Sequence, residues 1–87
     1  MPRLASWMEA VDVDVLEFLD GREDPAEPAT IADDLEYVEA YVKRRLDELA
    51  AQGLVQPVTG GGYVLRPLGE EYLAGELEPH FLDGPED

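Results

Sequence analysis

The stretch YVKRRLDELAAQGLVQPVTGGGYVLRP (residues 41–67) changes its pattern of apolar residues partway along. In its first part the apolar residues recur every three or four positions, the period of a helix that is buried on one face. Gly53 then suits the left-handed conformation that ends many helices. Beyond Gly53, short apolar runs flank three consecutive glycines, a pattern typical of a β-hairpin with the glycines at its tip. The stretch therefore predicts a helix followed directly by a two-stranded ribbon.

A first helix is predicted within residues 1–20, where apolar residues recur at helical spacing. Ser6 with Glu9 three residues later matches a capping box, and Asp12 is a second possible N-cap. A loop rich in Gly, Pro and charge follows, and a short second helix is expected to begin at Pro28.

The third helix is predicted over about residues 38–52. Its inward stripe is expected to be Val38, Val42, Leu46 and Leu49. Pro67 suits the first turn of a fourth helix after the hairpin. The residues expected on the inner side of that helix are Leu68, Tyr72, Leu73 and Leu77. Residues 78–87 are expected to form a frayed tail.

These elements give the order α-α-α-β-β-α, which is the plan of a winged helix-turn-helix: mainly α, with a small β-hairpin. With 87 residues the chain is expected to be one domain, with its core in about residues 6–77. It has no Cys, so disulfides and thiolate metal sites are excluded. It also lacks a signal-peptide pattern and any run near the roughly 18 apolar residues of a membrane span. A soluble, cytoplasmic protein is expected.

Charge is distributed unevenly along the chain. Six Lys and Arg residues stand against 21 Asp and Glu, a net charge of −15. A protein this acidic usually repels nucleic acid, and its composition is similar to that of proteins from salt-loving cells. Yet three of the six cations are adjacent, at Lys43, Arg44 and Arg45, and residues 49–69 contain no acid at all. A partner that avoids negative charge would meet this part of the chain.

The helical period separates the three adjacent cations. With Val42 at the centre of the buried face and about 100° per residue, Lys43 and Arg44 fall near 100° and 200°. Both therefore point outward, and small Ala40 lies near 160°, one turn earlier. Arg45 lands near 300°, beside the core, where its stem can pack while its head group braces the helix.

This arrangement suits a helix in the major groove of double-stranded DNA, with the hairpin (about residues 54–66) against the backbone. Arg can hold guanine through two hydrogen bonds, Lys can hold guanine or phosphate, and Ala40 permits close approach or a thymine methyl contact. Tyr63 and Arg66 are candidates for phosphate or sugar contacts. The alternative is that Lys43 and Arg44 are merely solvated, with Lys43 paired to Asp47 four residues on.

Other functions have less support in the sequence. Ser6 is the only Ser, His80 has no partner, and no acid–base pair or phosphate-cradling loop is present, so an enzyme, a cofactor or a metal site is not expected. A second hypothesis is a winged helix that binds an acidic protein through the acid-poor region. The outward set of Ala40, Lys43 and Arg44 favours a groove over a flat protein surface.

Four segments resemble the small winged-helix regulators of halophilic archaea related to the phage phi-H repressor. They are SWMEAVDVDVLEFL (6–19), PATIADDL (28–35), YVKRRLDELAAQGLV (41–55) and GGGYVLRPLGEEYLAGEL (60–77). The resemblance implies transcriptional regulation, as a repressor, with the third helix as the recognition helix. Tyr41, Lys43, Arg44 and Arg45 match its motif. Glu39 stands at a reading position, where a carboxylate can accept from cytosine or repel phosphate.

A homodimer is also expected, since small winged helices that read DNA usually occupy two half-sites. The apolar residues available for a dimer contact lie near the two ends of the chain. They are Leu4, Trp7, Leu77, Phe81 and Leu82.

Overall fold

The computed structural model of the chain describes residues 4–75. Its elements are α1 (Ala10–Leu19), α2 (Pro28–Leu35), α3 (Glu39–Ala51), β1 (Val55–Pro57), β2 (Tyr63–Leu65) and α4 (Pro67–Leu73). This order confirms the winged helix-turn-helix plan. Leu77, the predicted tail 78–87 and the dimer candidates Phe81 and Leu82 lie outside the described residues. No helix within residues 4–75 combines the length and the apolar character that crossing a membrane requires.

The first helix begins later than predicted. Glu9 is the N-cap of α1, and its backbone N–H donates to Oδ2 of Asp12 at 2.8 Å. The capping pair is therefore Glu9 with Asp12, and the prediction of caps at Ser6 or Asp12 was wrong. Asp12 is not the cap itself, because it lies inside the first turn. Its carboxylate is fully buried there and faces Arg45 of α3. The residues before Glu9 form a turn, in which the Met8 N–H donates to the Ala5 carbonyl at 3.0 Å.

The turn between α2 and α3 moves one predicted core residue to the surface. Glu36 takes a left-handed conformation, with φ of 63°, and ends α2. Val38 is the N-cap of α3, and its side chain is 71% exposed. It was wrongly assigned to the inward stripe, because a residue ahead of the first helical turn does not share the helical angle of the residues after it. Val42 and Leu46, farther along that stripe, are fully buried.

The hairpin is held on one side by the loop that precedes α2. β1 and β2 are antiparallel, with Gln56 opposite Val64. Tyr63 of β2 also exchanges two backbone hydrogen bonds with Ala26 of the preceding loop, of 2.9 and 3.1 Å. A Cβ added to Gly62 would lie 2.7 Å from the Cβ of Pro25, so the loop and the hairpin are in direct contact. The sequence did not predict this bridge, which anchors the hairpin to the body of the fold.

The core lies between α1, α2, α3 and the start of the hairpin. Its fully buried members include Val15, Leu16, Ile31, Val42, Leu46, Leu49 and Leu54. The fourth helix closes one side through Tyr72, which is buried. A Cβ at Gly69 would lie 2.6 Å from the Leu54 carbonyl oxygen, so α4 approaches this backbone as closely as only glycine permits. Burial of these apolar side chains is the main stabilising contribution in a fold of this size.

Candidate nucleic-acid interface

One face of α3 is exposed along the whole helix. Glu39, Ala40 and Arg44 are all exposed in its first two turns, and Ala51 continues the same line near its end. Within residues 4–75, Arg44 has no hydrogen bond or ion pair. Glu39 is the first helical residue, where a carboxylate is favoured by the positive end of the helix dipole. The outward face therefore carries acidic residues and two alanines beside Arg44, a cation that makes no hydrogen bond or ion pair within the described residues.

Lys43 is exposed too, but it is paired. Its Nζ donates to both carboxylate oxygens of Asp47, at 2.9 and 3.0 Å, and about half of each side chain remains accessible. The pair raises the pKa of Lys43 and lowers that of Asp47, chiefly through these hydrogen bonds. Lys43 thus faces outward, as the helical angle predicted, with a carboxylate as its immediate neighbour.

Tyr63 lies in the core, which does not suit the predicted contact with phosphate or sugar. Its side chain is 5% exposed, and its hydroxyl donates to Oδ1 of Asp47 at 2.9 Å. Burial, and then this hydrogen bond, raise its pKa. The ring is buried because β2 turns this residue toward the body of the fold, next to Ala26. Tyr63 therefore links the hairpin to α3.

Arg66 is the cation of the hairpin region. It is exposed at the N-cap of α4, directly after β2, and its Nη1 donates to Oε1 of Gln56 on the neighbouring strand at 3.2 Å. Gln56 is uncharged, so the positive charge of Arg66 is not neutralised by this contact. The tip of the hairpin, at Gly60 and Gly61, carries no side chain that would obstruct the approach of another molecule.

Arg45, predicted to brace the helix, contacts α1. Its Nε and Nη2 donate to the two oxygens of Asp12 at 2.9 and 2.7 Å, and Nη2 also donates to the Trp7 carbonyl at 3.2 Å. Its Nη1 lies 3.5 Å from Oε2 of Glu9. The other carboxylate oxygen of Glu9, Oε1, accepts a hydrogen bond from the Tyr41 hydroxyl. The hydrogen bonds to Asp12 are the main cause that raises the pKa of Arg45. Arg45 is thus committed to holding α3 against α1.

Asp47 and Asp12 are the acidic partners of Lys43 and Arg45. The sequence pointed clearly to Asp47 but not to Asp12. Asp47 was recognisable as the partner of Lys43 from the spacing of four residues. Asp12 is 33 residues from Arg45, and no local pattern connects the two. The position of Asp12 between two valines is not a sufficient signal, because Asp14 also lies between two valines and only Asp12 is fully buried.

Comparison with known proteins gave two matches. A family model described as the winged helix-turn-helix phage repressor matches residues 1–84. Among solved structures, the chain is similar to the PhiH1 repressor-like protein from Haloarcula marismortui, with 36% sequence identity and a TM-score of 0.80. The similarity covers 91% of this chain and 91% of that one. The search of curated proteins found no match.

Proposed function

Because this chain belongs to the winged helix-turn-helix phage repressor family, as four of its segments predicted, we propose that it represses transcription by binding specific sites on double-stranded DNA. In this proposal α3 enters the major groove and the hairpin lies along the backbone. Regulation of this kind needs neither a cofactor nor catalysis by the chain itself.

The exposed line on α3 is the observation that carries the proposal. Ala40 is small enough to let the helix backbone approach the base edges, and Arg44 follows one turn later with its guanidinium free of described partners. A guanidinium in that position can donate two hydrogen bonds to the O6 and N7 of guanine. Arg66 is exposed beside the hairpin, and its guanidinium can donate to a phosphate oxygen. Glu39 can accept from a cytosine amino group in the first turn.

The strong acidity of the chain makes direct groove contacts more important. A net charge of −15 opposes the approach of DNA, and salt that screens this repulsion also weakens attraction to phosphate. Hydrogen bonds to base edges must then supply a larger share of the affinity. We therefore expect binding to remain measurable in molar KCl, and to depend on sequence there.

The experiment is a selection from random duplexes in molar KCl, followed by fluorescence anisotropy with the selected duplex. Arg44→Ala should weaken binding by tenfold or more, since a good base contact contributes about 1–3 kcal/mol. Arg22→Ala removes the same charge from the loop after α1, where Arg22 stacks on Phe18, and should leave the affinity nearly unchanged. Thermal melting verifies that both variants fold.

The alternative is a protein-interaction module. It would bind an acidic protein on the surface around Arg44 and the acid-free residues 49–69. The apolar Val38 and Tyr37, exposed beside α3, favour this second function. If the selection enriches no duplex, while the chain captures an acidic partner through a surface that Arg44→Ala disrupts, the module is the better description. If enrichment occurs and Arg44→Ala abolishes it, α3 is the reading element.

Homodimerisation belongs to the same proposal. Two half-sites give a small winged helix useful affinity, and Leu4, at the start of the described chain, is an exposed apolar residue that could contribute to a contact. Light scattering at high protein concentration, with and without the selected duplex, measures the stoichiometry. Two chains per duplex are expected, and a single chain on the duplex would contradict the dimer.

A further inference from the structure

The second half of α3 places a carboxylate inside the proposed DNA-binding face. Asp47 is one turn after Lys43, and its side chain is 57% exposed. An acid at such a position repels phosphate, so its presence there needs an explanation. Its two contacts, with Lys43 and with Tyr63, supply one.

The Lys43–Asp47 pair has a third hydrogen-bonding partner, which most ion pairs within one helix lack. An exposed pair within one helix usually contributes little, because both side chains lose conformational freedom when they meet. Here the carboxylate is also held from a second side, since Oδ1 accepts the Tyr63 hydroxyl at 2.9 Å. Tyr63 is itself buried and fixed through its backbone to Ala26. The carboxylate is therefore oriented before any DNA arrives.

An oriented carboxylate changes what Lys43 can do. The ammonium group has three protons, and hydrogen bonds at 2.9 and 3.0 Å direct it toward the two Asp47 oxygens. The pair carries no net charge, so it neutralises no phosphate as a unit. To act as a phosphate counter-ion, Lys43 would have to leave Asp47 and expose that carboxylate to the DNA backbone. Tyr63 also acts on Lys43, because it contributes to the raised pKa of that ammonium group. A hydrogen bond from Lys43 to a base edge would use the proton that Asp47 does not hold.

We propose that Asp47 is a specificity-determining residue, which restrains Lys43 so that it donates to one base-edge acceptor instead of attracting phosphate in general. The acceptors of suitable chemistry in the major groove are O6 and N7 of guanine. This inference rests on the proposed function. It assigns to Asp47 the suppression of non-specific binding, which is governed by the number of phosphates that a protein neutralises.

The test compares variants on two probes, a random-sequence duplex and the duplex selected in molar KCl. Binding is measured by fluorescence anisotropy from about 0.1 to about 1 M KCl, a range over which phosphate contacts weaken strongly. Asp47→Asn keeps the shape and can still accept from Tyr63, but it frees the charge of Lys43. We expect its affinity for random duplex to rise several-fold, and the slope of log affinity against log salt to steepen by about 0.9. Its preference for the selected duplex should fall.

Two controls separate this role from a merely structural one. Tyr63→Phe removes the hydroxyl that holds Asp47 but leaves every charge in place, so the salt slope should stay close to that of the parent. In a Lys43→Gln background, Asp47→Asn should no longer steepen the slope, because the cation that it would free is gone. Thermal melting of each variant verifies folding.

Each outcome bears on the inference. An unchanged slope for Asp47→Asn would overturn it, and so would an equal steepening in the Lys43→Gln background, which would mean that Asp47 repels phosphate independently of Lys43. If the parent chain binds neither duplex at any salt concentration, the proposed function itself fails and the inference falls with it. That result is distinct from binding with an unaltered slope.

Discussion

Arg45 and Asp12 are joined by two hydrogen bonds across the contact between α3 and α1. The Asp12 carboxylate is fully buried, and the Arg45 side chain is 13% exposed. Two parallel hydrogen bonds between a guanidinium and a carboxylate fix both distance and orientation. The angle at which α3 leaves the body of the protein is therefore set in part by a charged pair that spans 33 residues of sequence.

Removal of Arg45 should destabilise the fold strongly. Arg45→Ala leaves the Asp12 carboxylate buried without its partner, and breaking a buried pair in this way typically costs about 3–5 kcal/mol. Arg44→Ala, one residue earlier but exposed, should change the free energy of unfolding by less than about 0.5 kcal/mol. Urea unfolding of the two variants measures the difference. Equal midpoints would show that the Arg45 pair contributes nothing to stability.

A second prediction compares two valines four residues apart. Val38→Ala should leave the free energy of unfolding nearly unchanged, since its side chain is 71% exposed. Val42→Ala removes two buried methyl groups from the core, and should cost on the order of 2 kcal/mol. Both variants make the same chemical change, and urea unfolding measures both. An equal loss of unfolding free energy for Val38→Ala would show that Val38 is buried in the core.

Salt should stabilise the folded chain. With a net charge of −15 the compact state repels itself, and at about 1 M salt the Debye length shortens to about 3 Å. We expect a higher melting temperature in about 2 M KCl than in about 0.05 M KCl. Replacing the exposed Asp33 and Asp34 by Asn should raise the melting temperature at low salt. The difference between the melting temperatures at high and low salt should then become smaller. A melting temperature that falls with KCl would contradict this explanation.

Alkaline pH should destabilise the protein through its buried tyrosines. Burial raises the pKa of Tyr63 and of Tyr72 above the ordinary value of 10.0, with the nearby Asp47 and Asp12 carboxylates as further causes. Because the folded pKa is the higher one, the stabilisation is complete below pH 10 and is lost as the pH rises through the folded pKa. Urea unfolding from about pH 9 to about pH 11.5 should show this decline.

Tyr63→Phe is the control for the alkaline effect. It removes one of the two buried phenols, so the free energy of unfolding should depend less steeply on pH above 10. A variant with the same pH dependence as the parent would mean that Tyr63 does not contribute to the alkaline loss.

The order of elements could be predicted because each element has a local pattern of apolar residues in the sequence. The change from helical to alternating spacing after Gly53 located the hairpin, and the positions of Val42 and Leu46 defined the inner face of α3. The start of α1 could not be located in this way. Its cap depends on Asp12, which lies where it does because Arg45 reaches it from another helix. The Ala26–Tyr63 bridge is a single residue pair, too short to produce a pattern.

For the candidate site, the orientation of side chains on α3 could be predicted, but the contacts between elements could not. Helical angles alone indicated which cations point outward and which one lies beside the core, but not that Arg45 contacts α1. They could not indicate that Tyr63 is buried, since a three-residue strand does not reveal which of its faces is inward. Nor could they show that a tyrosine 16 residues away would fix the Asp47 carboxylate beside Lys43.

The exposed line of α3 also bears on how chains of this kind can diverge. Ala40, Arg44 and Ala51 lie on the outside of the helix, and Arg44 contributes no described bond to the fold. If α3 reads DNA as proposed, single substitutions along this line would alter what the helix recognises while the free energy of unfolding stays nearly unchanged. A change at Arg45, by contrast, would leave the buried Asp12 carboxylate of α1 without its partner. Under that proposal, a new target could be acquired by steps that each leave a folded protein.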